Sequence, residues 1–193
     1  MSTIVSSGTP PPTTDKATSA DLEMVSTLDP AALTYLIIET RRYERNIIKM
    51  ALRTHHFSDF LDADDAVEAL KIIQSGNNTV DFILVSQELP ILSSFDFVRL
   101  VRRAVDSPDP EVPIVMLSDY AAESVVSEAR AAGVHDFIAK PFSPDLLFAH
   151  IRRTLLNPRP FIRTKSYVGP EHPCRPGLPA EPTKAGAKTD AAH

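Results

Sequence analysis

Five residues able to do chemistry come directly after short, mostly apolar segments of the chain: Glu39, Thr40, Ser86, Ser118 and Lys140. Continuous apolar runs of this length are typical of strands that are buried on both faces of a parallel sheet. Because the carboxyl ends of parallel strands meet at one edge of the sheet, we expect these five side chains to lie close together. The sequence therefore predicts one polar site that contains a carboxylate, three hydroxyl groups and an ammonium group.

The elements that must position this site alternate regularly along the chain. The predicted strands are 35–38, 57–62, 82–85, 114–117 and 135–139, and a stretch with helical periodicity follows each of them. Strands this apolar, alternating with helices, imply a parallel sheet with helices on both faces. We therefore predict an α/β fold with three layers, built from five βα repeats as a doubly wound sheet.

The first predicted helix, 43–53, is amphipathic, and its spacing indicates which residues face the sheet. We place Tyr43, Ile47, Ile48, Ala51 and Leu52 on the buried stripe, and Arg45, Lys49 and Arg53 on the opposite, solvated side. At the other end of the fold, Gly133 is expected to cap the fourth helix in a left-handed conformation.

Proline distribution divides the 193 residues into one domain and two tails. The 17 prolines concentrate toward the two ends of the chain, whereas the aliphatic periodicity lies between them. We predict a flexible N-terminal arm at 1–33, a globular domain at 34–156 and a proline-rich C-terminal tail at 157–193.

Composition excludes several classes of protein. A formal net charge of −5 argues against a large basic surface for nucleic acid. Cys174 is the single cysteine, so neither a disulfide framework nor a cysteine metal site is expected. No apolar run approaches the roughly 18 residues that a membrane span needs, and the N-terminus lacks the pattern of a signal peptide. We expect a cytoplasmic protein that binds neither nucleic acid nor membrane.

Three motifs, in order along the chain, indicate a family. They are Ser86-x-x-x-Pro90, the run from Ala132 to Phe137, and Lys140-Pro141-Phe142, each beside a predicted strand. With the polar residues at the strand ends, they make 34–156 resemble the receiver domain of bacterial response regulators. The resemblance implies the flavodoxin-like fold with strand order 2-1-3-4-5. It also implies phosphoryl transfer from a histidine kinase to an aspartate, assisted by Mg²⁺.

The sequence departs from the family pattern at the positions that carry this chemistry. The acidic pair is reduced to Glu39-Thr40, and the phosphoacceptor position holds Ser86 instead of aspartate. Ser118 and Lys140 retain the two positions that contact phosphate in the family, and Phe137 stands at the switch aromatic position. The remaining departures are Ser94 in place of glycine and Asp119 in place of a small residue. We therefore expect no catalytic residues, no metal site, weak or absent Mg²⁺ binding and no enzymatic activity.

The residue types alone leave alternative roles open for Ser86, Glu39 and Glu88. Ser86 as an unconventional phosphoacceptor would need a general base, and no histidine lies near it in the sequence. We favour a hydrogen-bonded serine at the strand end. Glu39 and Glu88 could hold a cation together, but two carboxylates make a poor Mg²⁺ site. We instead expect Lys140 to pair with Glu39.

Charged residues after the first strand have two interpretations. Arg41 and Arg42 either lean into the pocket or form a solvated start of the first helix, and we favour the second interpretation. Leu146 and Phe148 on the last helix are candidates for a partner surface, together with Phe161 and Tyr167 in the segment 159–168. That segment alternates cations with apolar residues, and we favour its docking on the acidic domain over binding to a partner or to anionic lipid.

These expectations lead to a signalling protein of two-component or phosphorelay systems. We expect it to act by protein contacts, without phosphorylation of an aspartate, on a histidine kinase or another two-component partner. The resemblance also suggests a homodimer through helix 4, strand 5 and helix 5. Two alternatives are a phosphorelay receiver that accepts phosphate at a non-standard residue, and a small-molecule sensor that uses the former phosphorylation pocket.

Overall fold

A computed structural model describes residues 29–172. The predicted N-terminal arm is outside this range except for 29–33, and so is the predicted tail from 173 onward. The strands of the main sheet are β1 (Tyr35–Ile38), β2 (Phe60–Ala63), β3 (Phe82–Ser86), β4 (Ile114–Ser118) and β5 (Asp136–Ala139). The helices are α1 (Arg42–Arg53), α2 (Ala66–Ser75), α3 (Ser94–Arg103), α4 (Glu123–Ala132) and α5 (Pro144–Leu156). No helix within 29–172 is long and apolar enough to cross a membrane.

The five strands form a parallel sheet in the order β2-β1-β3-β4-β5, which confirms the predicted topology. Side chains of β1 alternate between two apolar cores, with Leu36 on the side of α2, α3 and α4, and Ile37 on the side of α1 and α5. Because both faces are covered, every residue of β1, β3 and β4 is buried. Burying one such side chain contributes about 1.5–3 kcal/mol.

The second strand begins later than predicted. Phe57 precedes β2 as a buried residue of the α1–β2 connection, where its ring meets that of Tyr35 edge-on at 4.9 Å. This edge strand has a weak apolar pattern, and the apolar Phe57 extends the predicted strand three residues before its observed start at Phe60. Asp65 caps α2 by accepting hydrogen bonds from the backbone N–H groups of Val67 and Glu68.

The predicted orientation of α1 is wrong in two respects. Tyr43 and Ile47, expected in the core, are 78% and 43% exposed, whereas Arg45, expected on the solvated side, is buried. The Arg45 guanidinium donates hydrogen bonds to the carbonyl groups of Glu39 and Ala63 and also pairs with Asp64. These acceptors at the ends of β1 and β2 explain why a cation turns toward the sheet.

Two further strands, β6 (Phe161–Arg163) and β7 (Val168–Pro170), form an antiparallel hairpin within the predicted tail. The hairpin packs on the domain, as expected for the segment 159–168. Gly133 ends α4 with φ of 105°, and a Cβ atom there would lie 2.7 Å from the carbonyl oxygen of Val168. Only glycine therefore permits this close approach of the two backbones. The hairpin lies beyond the predicted domain boundary at residue 156.

Candidate functional site

Three of the five predicted residues meet at the carboxyl edge of the sheet. The ammonium of Lys140, after β5, donates hydrogen bonds to Oε2 of Glu39 at 2.9 Å and to Oγ of Ser86 at 3.3 Å. The Ser86 hydroxyl in turn donates to the same Oε2 atom of Glu39. The predicted pairing of Lys140 with Glu39 is confirmed, and Ser86 is the expected hydrogen-bonded residue at a strand end.

A second carboxylate completes the environment of the lysine. Oε2 of Glu44, in the first turn of α1, accepts a hydrogen bond from Lys140 Nζ at 2.6 Å. Glu44 is not among the site residues predicted from the sequence. Its signal was an acidic side chain in the first turn of a helix that begins at the edge of the sheet where the site lies.

Arg41 lies over the site from the solvent side: its side chain is 51% exposed, as the favoured interpretation of a solvated helix start expects, and it also reaches carboxylates of the pocket. Its guanidinium lies 2.7 Å from Oε1 of Glu44 and donates to Oδ2 of Asp119 at 2.9 Å. Its backbone N–H donates to Oε1 of Glu39 at 2.9 Å. Arg41 thereby links the loop after β1 to the loop after β4, whereas Arg42 is exposed as expected.

Both buried members of the network remain ionised. Burial acts to raise the pKa of Glu39, but hydrogen bonds from Ser86, the Arg41 backbone and Lys140 outweigh it and lower that pKa. Burial acts to lower the pKa of Lys140, but Glu44 and Glu39 outweigh it and raise that pKa. Three carboxylates, those of Glu39, Glu44 and Asp119, therefore face two cations within the site, which leaves one formal negative charge.

The other predicted positions lie around this network. The Ser118 hydroxyl faces the carbonyl oxygen of Tyr120 at 2.8 Å and Oε1 of Gln87 at 3.2 Å, so it is already engaged within the chain. Thr40 and Glu88 are exposed and line a neighbouring cleft of about 530 Å³. The buried Ser94 donates to the carbonyl oxygen of Gln87, which occupies its hydroxyl.

Of the partner-surface candidates, only Leu146 is exposed, at 44%. Phe148 is half-buried and stacks on His55 with a ring separation of 4.0 Å. Phe161 lies against the guanidinium of Arg102, and the Tyr167 hydroxyl donates to the carbonyl oxygen of Pro170. These three aromatic side chains are half-buried because each contacts another residue of the chain. Phe137 is half-buried and packs against the core beneath α4.

The larger exposed apolar surface lies on α1 and was not predicted. Tyr43, Ile47 and Met50 follow one another on one face of this helix, and Met50 is 65% exposed. A groove of about 310 Å³ adjoins them, and its apolar walls include Ile47, Pro141 and Phe142. Large apolar side chains grouped in this way mark contact surfaces for other proteins.

The donor set of the site does not fit the Mg²⁺ ion that the resemblance implies. Mg²⁺ requires near-octahedral coordination by oxygen atoms. Both carboxylate oxygens of Glu39 already accept hydrogen bonds, and Lys140 brings its own positive charge among them. Within 29–172, no group of three or more histidine, cysteine, aspartate or glutamate side chains is arranged to hold a metal ion.

Comparison with known proteins gives a consistent result. The response regulator receiver domain family matches residues 35–152. The chain is 32% identical to the chemotaxis protein CheY of Pseudomonas aeruginosa over 118 residues, which are 61% of this chain and 92% of that protein. It is 31% identical to the chemotaxis protein CheY1 of Helicobacter pylori over 112 residues, which are 58% of this chain and 88% of that protein.

Solved structures show the same fold. The chemotaxis protein CheY4 of Vibrio cholerae, crystallised at low pH, superimposes with a TM-score of 0.56 at 25% identity, covering 64% of this chain and 98% of that chain. The receiver domain of a Pseudomonas aeruginosa sensor histidine kinase, with a magnesium ion coordinated in its active-site cleft, superimposes with a TM-score of 0.55. That comparison has 23% identity and covers 65% of this chain and 99% of that chain.

Proposed function

This chain belongs to the response regulator receiver domain family, and from that premise we propose that it signals through protein contacts without phosphorylation of an aspartate. Receiver domains of two-component systems interact with histidine kinases and other signalling partners, and we expect such a partner here. The observation that carries the proposal is the position of Lys140. Its ammonium donates to Glu39, Glu44 and Ser86, so the carboxylate that the resemblance assigns to metal binding is already paired with a cation of the chain.

Aspartyl phosphorylation makes two chemical demands that this site does not meet. The acceptor must be a carboxylate, because the product is an acyl phosphate, and position 86 carries a hydroxyl group. The charge that develops during transfer must also be neutralised, which in this family is the task of Mg²⁺. The structurally similar kinase receiver coordinates magnesium in its cleft, whereas Lys140 and Arg41 already pair with the carboxylates of this site.

One contact favours a second candidate, a phosphorelay receiver that uses Ser86. The Ser86 hydroxyl donates to Glu39, which is the geometry of a nucleophile and its base. The lowered pKa makes Glu39 a weak base, however, and Ser86 is buried beneath its partners. The third candidate, a small-molecule sensor in the same pocket, would require a ligand to displace these ion pairs. We therefore favour the protein-contact function.

Surface composition supports a contact function as well. Tyr43, Ile47 and Met50 on α1 expose apolar area that the described chain does not cover. We include in the proposal a homodimer through α4, β5 and α5, for which Leu146 is the exposed candidate. Sedimentation equilibrium of the wild type and of Leu146→Ser tests this part, since an unchanged mass for both proteins at monomer size contradicts it.

The main experiment asks whether the protein accepts phosphate. The full-length wild type is incubated with acetyl phosphate and Mg²⁺, and its intact mass is measured before and after hydroxylamine treatment. We expect no added phosphoryl group. A hydroxylamine-labile adduct contradicts the proposal, and a stable adduct that disappears in Ser86→Ala establishes the second candidate instead.

A gain-of-function pair sharpens the test. Ser86→Asp with Thr40→Asp restores the acceptor and the second acid, so we expect Mg²⁺ binding and a labile phosphoryl adduct. The matched control, Ser86→Asn with Thr40→Asn, has the same shape without the charges and is expected to remain unmodified. Equal labelling of both pairs would show that the lost carboxylates are not the cause of inactivity.

A further inference from the structure

A second cleft lies at the amino edge of the sheet, on the opposite side of the domain from the candidate site. Its volume is about 330 Å³, and its walls come from the start of β5, the end of α5 and the chain that leads into the hairpin. The lining residues are His135, Asp136, Arg153, Thr154, Asn157 and Arg159. This cleft is separate from the candidate site, and it lies at the amino-edge ends of β5 and α5, which are also elements of the proposed dimer surface.

Cations around this cleft outnumber the carboxylates that contact them. Asp136 is shared, because its Oδ2 atom accepts from both His150 and Arg153. Arg159 is half-buried, and within the described residues its guanidinium meets a neutral group, Nδ1 of His172, at 3.2 Å. Arg153 keeps part of its guanidinium exposed to the cleft side of α5, since its side chain is 54% exposed.

A third arginine lies behind the cleft wall. Arg102 is 1% exposed, and its guanidinium donates to the carbonyl oxygens of Gly133, Pro110 and Val112. It also contacts Nδ1 of His135 at 3.2 Å, so its positive charge lies directly behind a residue that lines the cleft. Its hydrogen-bond partners are all neutral groups, and Asp109 and Glu111 are the carboxylates whose charges act on it.

The pKa values of two imidazole groups near the cleft are lowered. Burial, followed by the charge of Arg102, lowers the pKa of His135 to about 3. Burial, followed by the charges of Arg159 and Arg130, lowers the pKa of His172 to about 4. Both rings are therefore neutral at pH 7, and His172 Nε2 is a buried nitrogen atom without a hydrogen-bond partner in the described chain. Two arginines thus meet at the cleft: Arg159 contacts the neutral ring of His172, and Arg153 shares the carboxylate of Asp136 with His150.

We propose that this cleft binds the phosphate group of a small, soluble phosphoester, with Arg159 and Arg153 as the residues that contact it. Guanidinium groups bind phosphate with paired, charge-assisted hydrogen bonds. Because His150 and Arg153 share the carboxylate of Asp136, positive charge remains at the cleft, and a bound phosphate dianion offsets it. Because Arg159 belongs to the segment that leads into the hairpin and Arg153 belongs to α5, the ligand would also fasten the hairpin to the domain.

The test is a titration of the full-length protein with inorganic phosphate and with pyrophosphate at constant, low ionic strength. Saturable NMR shifts are expected at the Arg159 and Arg153 side-chain N–H groups. Since a hydrogen bond to a charged group contributes about 1.5–3 kcal/mol, Arg159→Gln is expected to weaken binding by about tenfold or more. Arg159→Lys, which keeps the charge and loses the paired geometry, is expected to be intermediate and guards against misfolding of the glutamine variant.

Arg163→Gln is the matched control, because Arg163 lies in the hairpin that follows Arg159 but pairs with Glu111 outside the cleft. Its affinity is expected to equal that of the wild type. The proposal is overturned if phosphate and pyrophosphate give no saturable shift, or if Arg163→Gln weakens binding as much as Arg159→Gln. Binding to vesicles of phosphatidylcholine and phosphatidic acid, without binding to free phosphate or pyrophosphate, overturns the soluble ligand in favour of a lipid headgroup.

Discussion

Arg41 at the carboxyl edge of the sheet contacts three carboxylates and stays half exposed, whereas Arg102 at the amino edge is buried among carbonyl groups. A count of ion pairs would rank Arg41 as the more important residue for stability. The physical chemistry ranks them the other way. Exposed ion pairs are screened by water and salt, whereas removal of a buried donor leaves buried acceptors without any partner.

The same contrast separates the two sites. In the carboxyl-edge network each cation pairs with carboxylates of the chain, which is why we propose no metal and no phosphoryl group there. At the amino edge, Arg159 contacts a neutral imidazole and Arg153 shares Asp136 with His150, which is why we propose a ligand there. Four experiments test this difference between the two edges.

Loss of Arg102 is expected to have the largest effect. In Arg102→Met the carbonyl groups of Gly133, Pro110 and Val112 lose their donor, and Gly133 and Val112 are buried, so we expect a loss of about 3–5 kcal/mol in the free energy of unfolding. Urea denaturation measures it. Arg103→Met is the neighbouring control, because Arg103 is exposed and bonds the carbonyl group of Ser166. A similar loss in both variants would mean that the end of α3, not the buried guanidinium, is responsible.

Loss of Glu39 is expected to have the next largest effect. Glu39→Ala removes the acceptor of Ser86 and one of the two carboxylates that pair with Lys140, leaving Glu44 as the other. We expect a loss of about 1–3 kcal/mol, because the partners that remain are largely buried. Glu128→Ala, at an exposed position, serves as the control. A loss below about 0.3 kcal/mol in Glu39→Ala would show that solvent screens the network.

The sequence predicted the pair Glu39–Lys140 but missed the arginines on which this comparison depends. The meeting of strand ends follows from continuous apolar runs, which are local patterns, and the strand order is what the family resemblance implies. The directions of Arg41, Arg45 and Arg102 depend on acceptors that are distant in the sequence, such as Asp119 for Arg41. Helical periodicity assigns Arg45 to the solvated face because it separates polar from apolar side chains. It carries no information on hydrogen-bond acceptors elsewhere in the chain. Long cationic side chains are therefore the part of this fold that a single sequence predicts least well.

Acidification is expected to affect the two edges in different pH ranges. His135 and His172 have pKa values of about 3 and about 4 in the folded state against an ordinary value of 6.5, so the unfolded chain binds protons first. Stability is therefore lost as the pH falls from 6.5 toward those values. Glu39, with its pKa lowered from 4.5, contributes stability that is lost only as the pH falls below that ordinary value.

Unfolding measured from pH 7 to pH 3 checks this order. His172→Gln is expected to flatten the pH dependence between 6.5 and 4.5, the two ordinary pKa values of these groups. Glu39→Gln is expected to flatten it only below that range. A wild-type stability that stays constant down to pH 4.5 would show that the imidazoles at the amino edge take up protons as freely as in the unfolded chain.

The smallest effect is expected for Arg41, despite its three carboxylate neighbours. Its side chain is 51% exposed, so we expect Arg41→Gln to lose less than about 1 kcal/mol at low salt. The loss should shrink further as salt is added, because ions screen exposed pairs over about 10 Å at 0.1 M. Arg42→Gln, at the exposed neighbouring position, is expected to be neutral. If Arg41→Gln costs as much as Arg102→Met and salt leaves that cost unchanged, the carboxyl edge is held together by its ion pairs, and burial is not what separates the two arginines.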